Sequence, residues 1–298
     1  MNPHAGSRSF GKRIEYFFAR IKQHFIIFYL INFCGGKDVI NKYKEYSLDD
    51  VEPISESSPI WTCWWQGEND MPLIVKACYQ AMKRYAGKHP VILVTKDNYK
   101  EYVDMPFYII EKQQKGIIDI THFSDILRMM LLSKHGGIWM DSTLLIALKP
   151  IDKFISPSEK FWTCHHKTLY NNVAQGGWTS FFLACGKNNP LPSFIADMHL
   201  KYWGAQNKLI DYLLLDYTFA IANMHVPSIH EMVEKVPLTS MGPLGKYLNN
   251  SFNSCDWEHL CTDYNFHKLT YKIPLQTKNA QGEITYYGHI TESFLEQE

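Results

Sequence analysis

From residue 59 onward the apolar positions switch between two spacings. PIWTCWWQG (59–67) is a short β-type run closed by glycine, and PVILVT (90–95) is a continuous apolar run of buried-strand length. Between them, MPLIVKACYQAMKRYAG (71–87) carries apolar residues at helical spacing and ends on Gly87. KDNYKEYV (96–103) reads as a short helix and FYII (107–110) as another strand. THFSDILRMMLLSKHGG (121–137) reads as a helix with glycine at its C-terminal end, and IWMD and TLLIAL follow as strands. This alternation predicts an α/β fold built on a parallel sheet covered by helices. In such sheets ligands sit at the carboxyl ends of strands, which is where Trp65 and Asp141 fall.

The flanks are less regular. Residues 1–50 read as a helical N-terminal extension, and VEPISESSP (51–59) is a Pro/Ser-rich boundary, so residues 51–298 are expected to form a single domain. Beyond the alternating part, KFWTCHH (160–166) and TSFFLACG (179–186) suggest strands. Residues 191–205 and 209–224 suggest helices, and HKLTYKI (267–273) suggests a late strand.

Composition narrows the partners. Thirty Lys and Arg balance thirty Asp and Glu, which argues against binding nucleic acid by bulk charge. The seven cysteines are scattered with no C-x-x-C pair, so a zinc knuckle is not expected; free thiols fit a reducing, cytoplasmic compartment. No segment reaches the ~18 apolar residues of a spanning helix. Residues 10–34 are instead basic, aromatic and amphipathic. They suit either a helix packed on the main domain or peripheral contact with the inner face of the cell membrane.

Two features carry candidate chemistry. Asp141 ends an apolar strand, where a carboxylate is costly unless it is used. On the helix before it, Ser124, Asp125 and Arg128 form S-D-x-x-R, with Asp125 and Arg128 on one face. That pair reads either as an i,i+3 ion pair or as a site in which Asp125 meets a ribose or sugar hydroxyl and Arg128 a sugar or diphosphate oxygen.

IWTCWWQGENDMP, HFSDILRMMLLSKHGGIWMDSTLL and GGWTSFFLACGKNNP before LIDYLLLDY, in that order, resemble the bacterial capsular polysaccharide synthesis protein family. That family is related to the glycosyltransferases with a DXD sugar-binding region. The resemblance covers roughly residues 55–275. It implies a GT-A-like nucleotide-sugar-binding sheet and glycosyl transfer from a nucleotide-sugar donor to a saccharide or lipid-linked saccharide acceptor. By the same resemblance Trp65 stacks on the donor base and Asp141 serves a divalent cation, Mn²⁺ or Mg²⁺. Thr143 replaces the second acid of DXD and offers only a hydroxyl. His267 is then a further metal ligand, Lys268 and Lys272 are diphosphate partners, and Asp211 or Asp216 faces the acceptor or transferred sugar. Two other readings stay open: a catalytically silent saccharide-binding module and a metal-dependent phosphohydrolase.

Overall fold

The structure is a computed structural model that describes residues 4–165 and 172–295, with the side chains of residues 4–12 left aside. Its centre is a five-stranded sheet in the order β2-β1-β3-β6-β5. The strands are β1 (Ile60–Cys63), β2 (Val91–Val94), β3 (Gly137–Met140), β5 (Phe161–Thr163) and β6 (Phe182–Cys185). β2, β1 and β3 run parallel, in register from Ile60↔Val91 and Ile60↔Ile138. β6 is antiparallel to both β3 and β5. The sheet is therefore mixed, where the apolar runs alone had suggested an all-parallel one. β5 and β6 pair antiparallel, so the second half of the sheet turns back on itself.

β4 (Leu144–Ile146) leaves this sheet and pairs antiparallel with β7 (Phe266–Lys268), with Leu144 opposite Lys268. The late strand is thus three residues long; residues 269–273 continue as irregular chain. The FYII run is helical, as the start of α4 (Phe107–Gln114). Four apolar residues do not separate strand from helix. Here Pro106 precedes the run, E-K-Q-Q extends it, and only Ile109 is buried.

α3 (Leu73–Tyr85), α5 (Ile120–His135), α6 (Pro190–Ala205), α7 (Leu214–His225), α8 (Pro227–Glu234) and α10 (Tyr286–Leu295) cover the strands. α5 packs on α6 and α6 on α7, while α3 packs on β4 and α10. α9 (Ser254–Asp263) precedes β7. At the middle of the core, Phe182 meets Trp162 and Phe266 edge-on, each at 4.8 Å between ring centres. α1 (His4–Phe33) and α2 (Gly36–Tyr43) join the same core through Ile26, Leu30, Val39 and Tyr43. All seven cysteines are free, and no described helix is long and apolar enough to cross a membrane.

The turn from α5 into β3 needs glycine. Gly136 and Gly137 both have positive φ, 64° and 105°. A Cβ on Gly137 would lie 2.5 Å from the Pro59 carbonyl oxygen and 2.9 Å from the Trp61 indole nitrogen. Backbone conformation alone makes alanine there cost about 1–3 kcal/mol, before any clash. Gly137→Ala is therefore expected to lower the urea midpoint clearly, with the slope of the transition unchanged; equal midpoints would remove this constraint.

Candidate functional site

The carboxyl ends of β1 and β3 lie side by side, and β6 begins beside them. The chain leaving β1 supplies Trp64 and Trp65, that leaving β3 supplies Asp141, and that entering β6 supplies Ser180 and Phe181. With α5, the start of α7 and residues 268–272 they line a cleft of about 580 Å³. That is the size of an ordinary small-molecule site.

α5 turns its S-D-x-x-R face into the cleft. Asp119 caps the helix by accepting from the His122 amide. Arg128 is buried and binds Asp125 at 2.9 Å, and its other terminal nitrogen donates to the Ser180 carbonyl. The same guanidinium lies 3.4 Å from Asp141 Oδ1 and 5.0 Å from the centre of the Trp139 ring. The ion-pair reading and the site reading of Asp125 and Arg128 therefore coexist: they pair with each other and both line the cleft.

Asp141 is held from three directions. Trp139, two residues earlier and on the same face of β3, donates its indole N–H to Oδ1 at 2.9 Å. Arg128 approaches the same oxygen, and the Lys268 ammonium meets Oδ2 at 2.5 Å. Burial opposes ionisation of this carboxyl, but Lys268, then Arg128, and the two hydrogen bonds outweigh it and hold it below the ordinary carboxylate range. The β4–β7 ribbon makes this possible. Leu144 N–H closes a turn onto the Asp141 carbonyl, and Leu269 N–H donates to the Thr143 carbonyl. Lys268 is thereby brought against a residue 127 positions earlier.

Trp65 is half-buried against Phe123 and Tyr99, at 4.8 and 5.2 Å, with its remaining surface on the cleft. Trp61 is in the core, donating to the Gly136 carbonyl. Ser124 accepts from Arg128 at 3.3 Å. Thr143 lines the cleft and is largely buried, and Lys272 lies on its exposed rim.

His267 and Asp211 sit elsewhere. Neighbours on a strand face opposite sides, so the chain that sends Lys268 into the cleft sends His267 away from it. The imidazole is fully buried against Gly242, and burial pushes its pKa down to about 4. Asp211 pairs with Lys22 of α1 at 2.5 Å and accepts from the Leu213 amide, just outside the cleft. Asp216 is in the cleft, in the first turn of α7, with the Trp178 indole donating to it at 2.9 Å. The expected helix over 209–224 begins only at Leu214, which separates the two acids. His166 lies outside the described residues.

Of the residues expected to hold a divalent cation, Asp141 and Thr143 line the cleft and His267 does not. Both oxygens of Asp141 are taken by nitrogen donors, two of them cationic, Thr143 is neutral and His267 faces the core. Among the described residues no group of three or more His, Cys, Asp or Glu is arranged to hold a metal. Sequence reasoning passed over Trp139, Trp178 and Tyr271. Period-2 spacing back from Asp141 marks Trp139; no local signal marks Trp178, whose partner is 38 residues away.

Residues 14–290 match the family model described as capsular polysaccharide synthesis protein. That span is most of the chain, and the protein belongs to this family. No curated protein matches it. Among solved structures it is similar to one titled PaToxG Glycosyltransferase, at 16% identity over 84% of this chain and 96% of the other, with a TM-score of 0.40.

The cleft makes one titration accessible. Burial raises the Asp216 carboxyl to about 6, against the opposing Trp178 hydrogen bond. A raised folded pKa favours the protonated native state. The stability it contributes is complete below the unfolded pKa near 4 and is lost as pH rises through 6. At ~1.4 kcal/mol per unit this is at most ~3 kcal/mol. Asp216→Asn should remove that part of the decline between pH 4 and 7, measured by urea unfolding across the range. Parallel profiles for the two proteins would mean that Asp216 titrates normally.

Proposed function

We propose that the protein is a glycosyltransferase that takes a sugar from a nucleotide-sugar donor, bound in this cleft, to a saccharide acceptor of a surface polysaccharide. The supporting observation is the convergence of an aromatic platform, a buried acid–guanidinium pair and a lysine on one cleft at the carboxyl ends of β1 and β3. Trp65 offers a ring braced from behind, and stacking of a base on such a ring contributes ~1–3 kcal/mol. Asp125, which among the described side chains pairs with Arg128, is suited to ribose or sugar hydroxyls. The cationic side of the cleft, Arg128, Lys268 and Lys272, suits the diphosphate. The sheet's mixed order, with its site at the parallel strand ends, is compatible with a GT-A-like donor site.

The reaction asks the protein to stabilise charge on a leaving diphosphate. The acceptor hydroxyl oxygen bonds to the anomeric carbon as that carbon's bond to the diphosphate oxygen breaks. The hydroxyl proton must leave as well. Asp216, with a pKa near the working range, is the cleft carboxylate suited to take it. A phosphohydrolase would need carboxylates or histidines gathered around ions, and no such group lies among the described residues.

α1 suggests where the acceptor comes from. Ile14, Phe17, Phe18, Ile21, Phe25 and Phe28 recur at helical spacing and are all exposed, at 42–64%. The opposite face packs inward through Ile26 and Leu30. The helix carries Arg8, Lys12, Arg13, Arg20 and Lys22 against a single acid, Glu15. An aromatic face flanked by cations complements a bilayer of anionic lipid. The Lys22–Asp211 pair ties this helix to Tyr212 and Leu213 at the cleft, so a lipid-linked acceptor would arrive on the correct side.

Incubation with UDP-, GDP- and CDP-sugars, followed by mass spectrometry, should show one donor consumed with transfer to a saccharide. Trp65→Ala is expected to weaken binding of that donor on the order of 10–100-fold. Binding of none of the donors would end this reading, and binding without transfer to any acceptor would favour a silent saccharide-binding module. Separately, the protein should sediment with vesicles containing phosphatidylglycerol. Phe17→Ser/Phe25→Ser/Phe28→Ser should remain in the supernatant; dimerisation of the parent through this face in sedimentation velocity would oppose the membrane reading.

A further inference from the structure

The cation expected beside Asp141 is already present as a side chain. Lys268 Nζ lies 2.5 Å from Asp141 Oδ2 and 4.9 Å from the centre of the Phe181 ring. Its backbone is fixed by the β4–β7 register, opposite Leu144. One-third of the side chain remains exposed to the cleft. The other carboxylate oxygen carries Trp139 and Arg128. A divalent ion of the Mn²⁺ or Mg²⁺ type seeks several oxygen ligands. Here it would have to expel an ammonium from Asp141, and it would find the Thr143 hydroxyl where a second acid is expected.

We propose that Lys268 itself supplies the positive charge that binds the donor's diphosphate, with Asp141 acting as the positioning residue that holds the ammonium, so that donor binding needs no divalent cation. This rests on the reading of the cleft as a nucleotide-sugar site. The chemistry is consistent on both sides. An ammonium is a compact point charge with three donors. It keeps one contact to Asp141 and has others to offer phosphate oxygens. Thr270 and Lys272 follow at alternate positions along the same rim, extending a polar edge from Lys268. Arg128, fixed by Asp125 and Ser180, faces Asp141 from the other side, so the carboxylate sits between two cations and does not present net negative charge to a diphosphate.

Calorimetric titration of the full chain with UDP, GDP and CDP, each in EDTA and in millimolar Mn²⁺ or Mg²⁺, tests this. One nucleoside diphosphate should bind in EDTA with an affinity within about threefold of that with cation. Lys268→Met should weaken it at least tenfold in both buffers, and Lys268→Arg should recover most of that loss. Circular dichroism and the urea midpoint report whether either variant is folded; the arginine variant keeps the test open if the methionine variant is not. Binding that requires the cation, or a folded Lys268→Met that binds as tightly as the parent in EDTA, would overturn the proposal. Absence of binding by all three diphosphates in both buffers would instead remove the nucleotide-site reading, and this proposal with it.

Discussion

A carboxylate at the end of a buried strand has to be compensated, and the way Asp141 is compensated organises the molecule. Its charge is met by Arg128 from α5, Lys268 from the β4–β7 ribbon and the Trp139 indole from its own strand. Removing one member of a buried ionic group leaves the others uncompensated. The sheet, the helix that crosses back to β3 and the C-terminal ribbon are therefore bound to one another through a single side chain. The cleft is the space left where these three elements meet.

The same arrangement separates two kinds of acid. Asp141 is held below the ordinary carboxylate range by its cations, while burial raises Asp216 to about 6 against the Trp178 hydrogen bond and the more distant Arg128. Two carboxyls in one cleft are thus given different proton affinities by their surroundings, a usual way to divide binding from proton transfer. The aromatic residues do similar work in pairs: Phe123 and Tyr99 set the tilt of Trp65, and Phe181 lies under Lys268.

Much of this was legible in the sequence because it is local. The helix before β3, its S-D-x-x-R face, the double glycine and the acid at the strand end are contiguous, and their spacing fixes which side each residue faces. What could not be read depends on chain reversal. Nothing in TSFFLACG distinguishes an antiparallel from a parallel strand, so the sheet's mixed order is visible only in three dimensions. FYII was too short to show its period. His267 is different: two-residue alternation already placed it opposite Lys268, and the attraction of a histidine as a metal ligand obscured that. The Trp178–Asp216 bond and the Lys22–Asp211 tie are long-range and leave no local trace.

The ribbon has a consequence for how the protein is made. β4 emerges from the ribosome first, and its partner β7 and the ammonium it brings come more than a hundred residues later. During synthesis the sheet's first three strands and α5 can assemble while Asp141 still lacks one of its two cations. The chain is made from its N-terminal side, so the cleft takes final form only once β7 has been made and has paired with β4. Recognition of a charged ligand is in this way deferred until a segment 127 positions beyond Asp141 has been made.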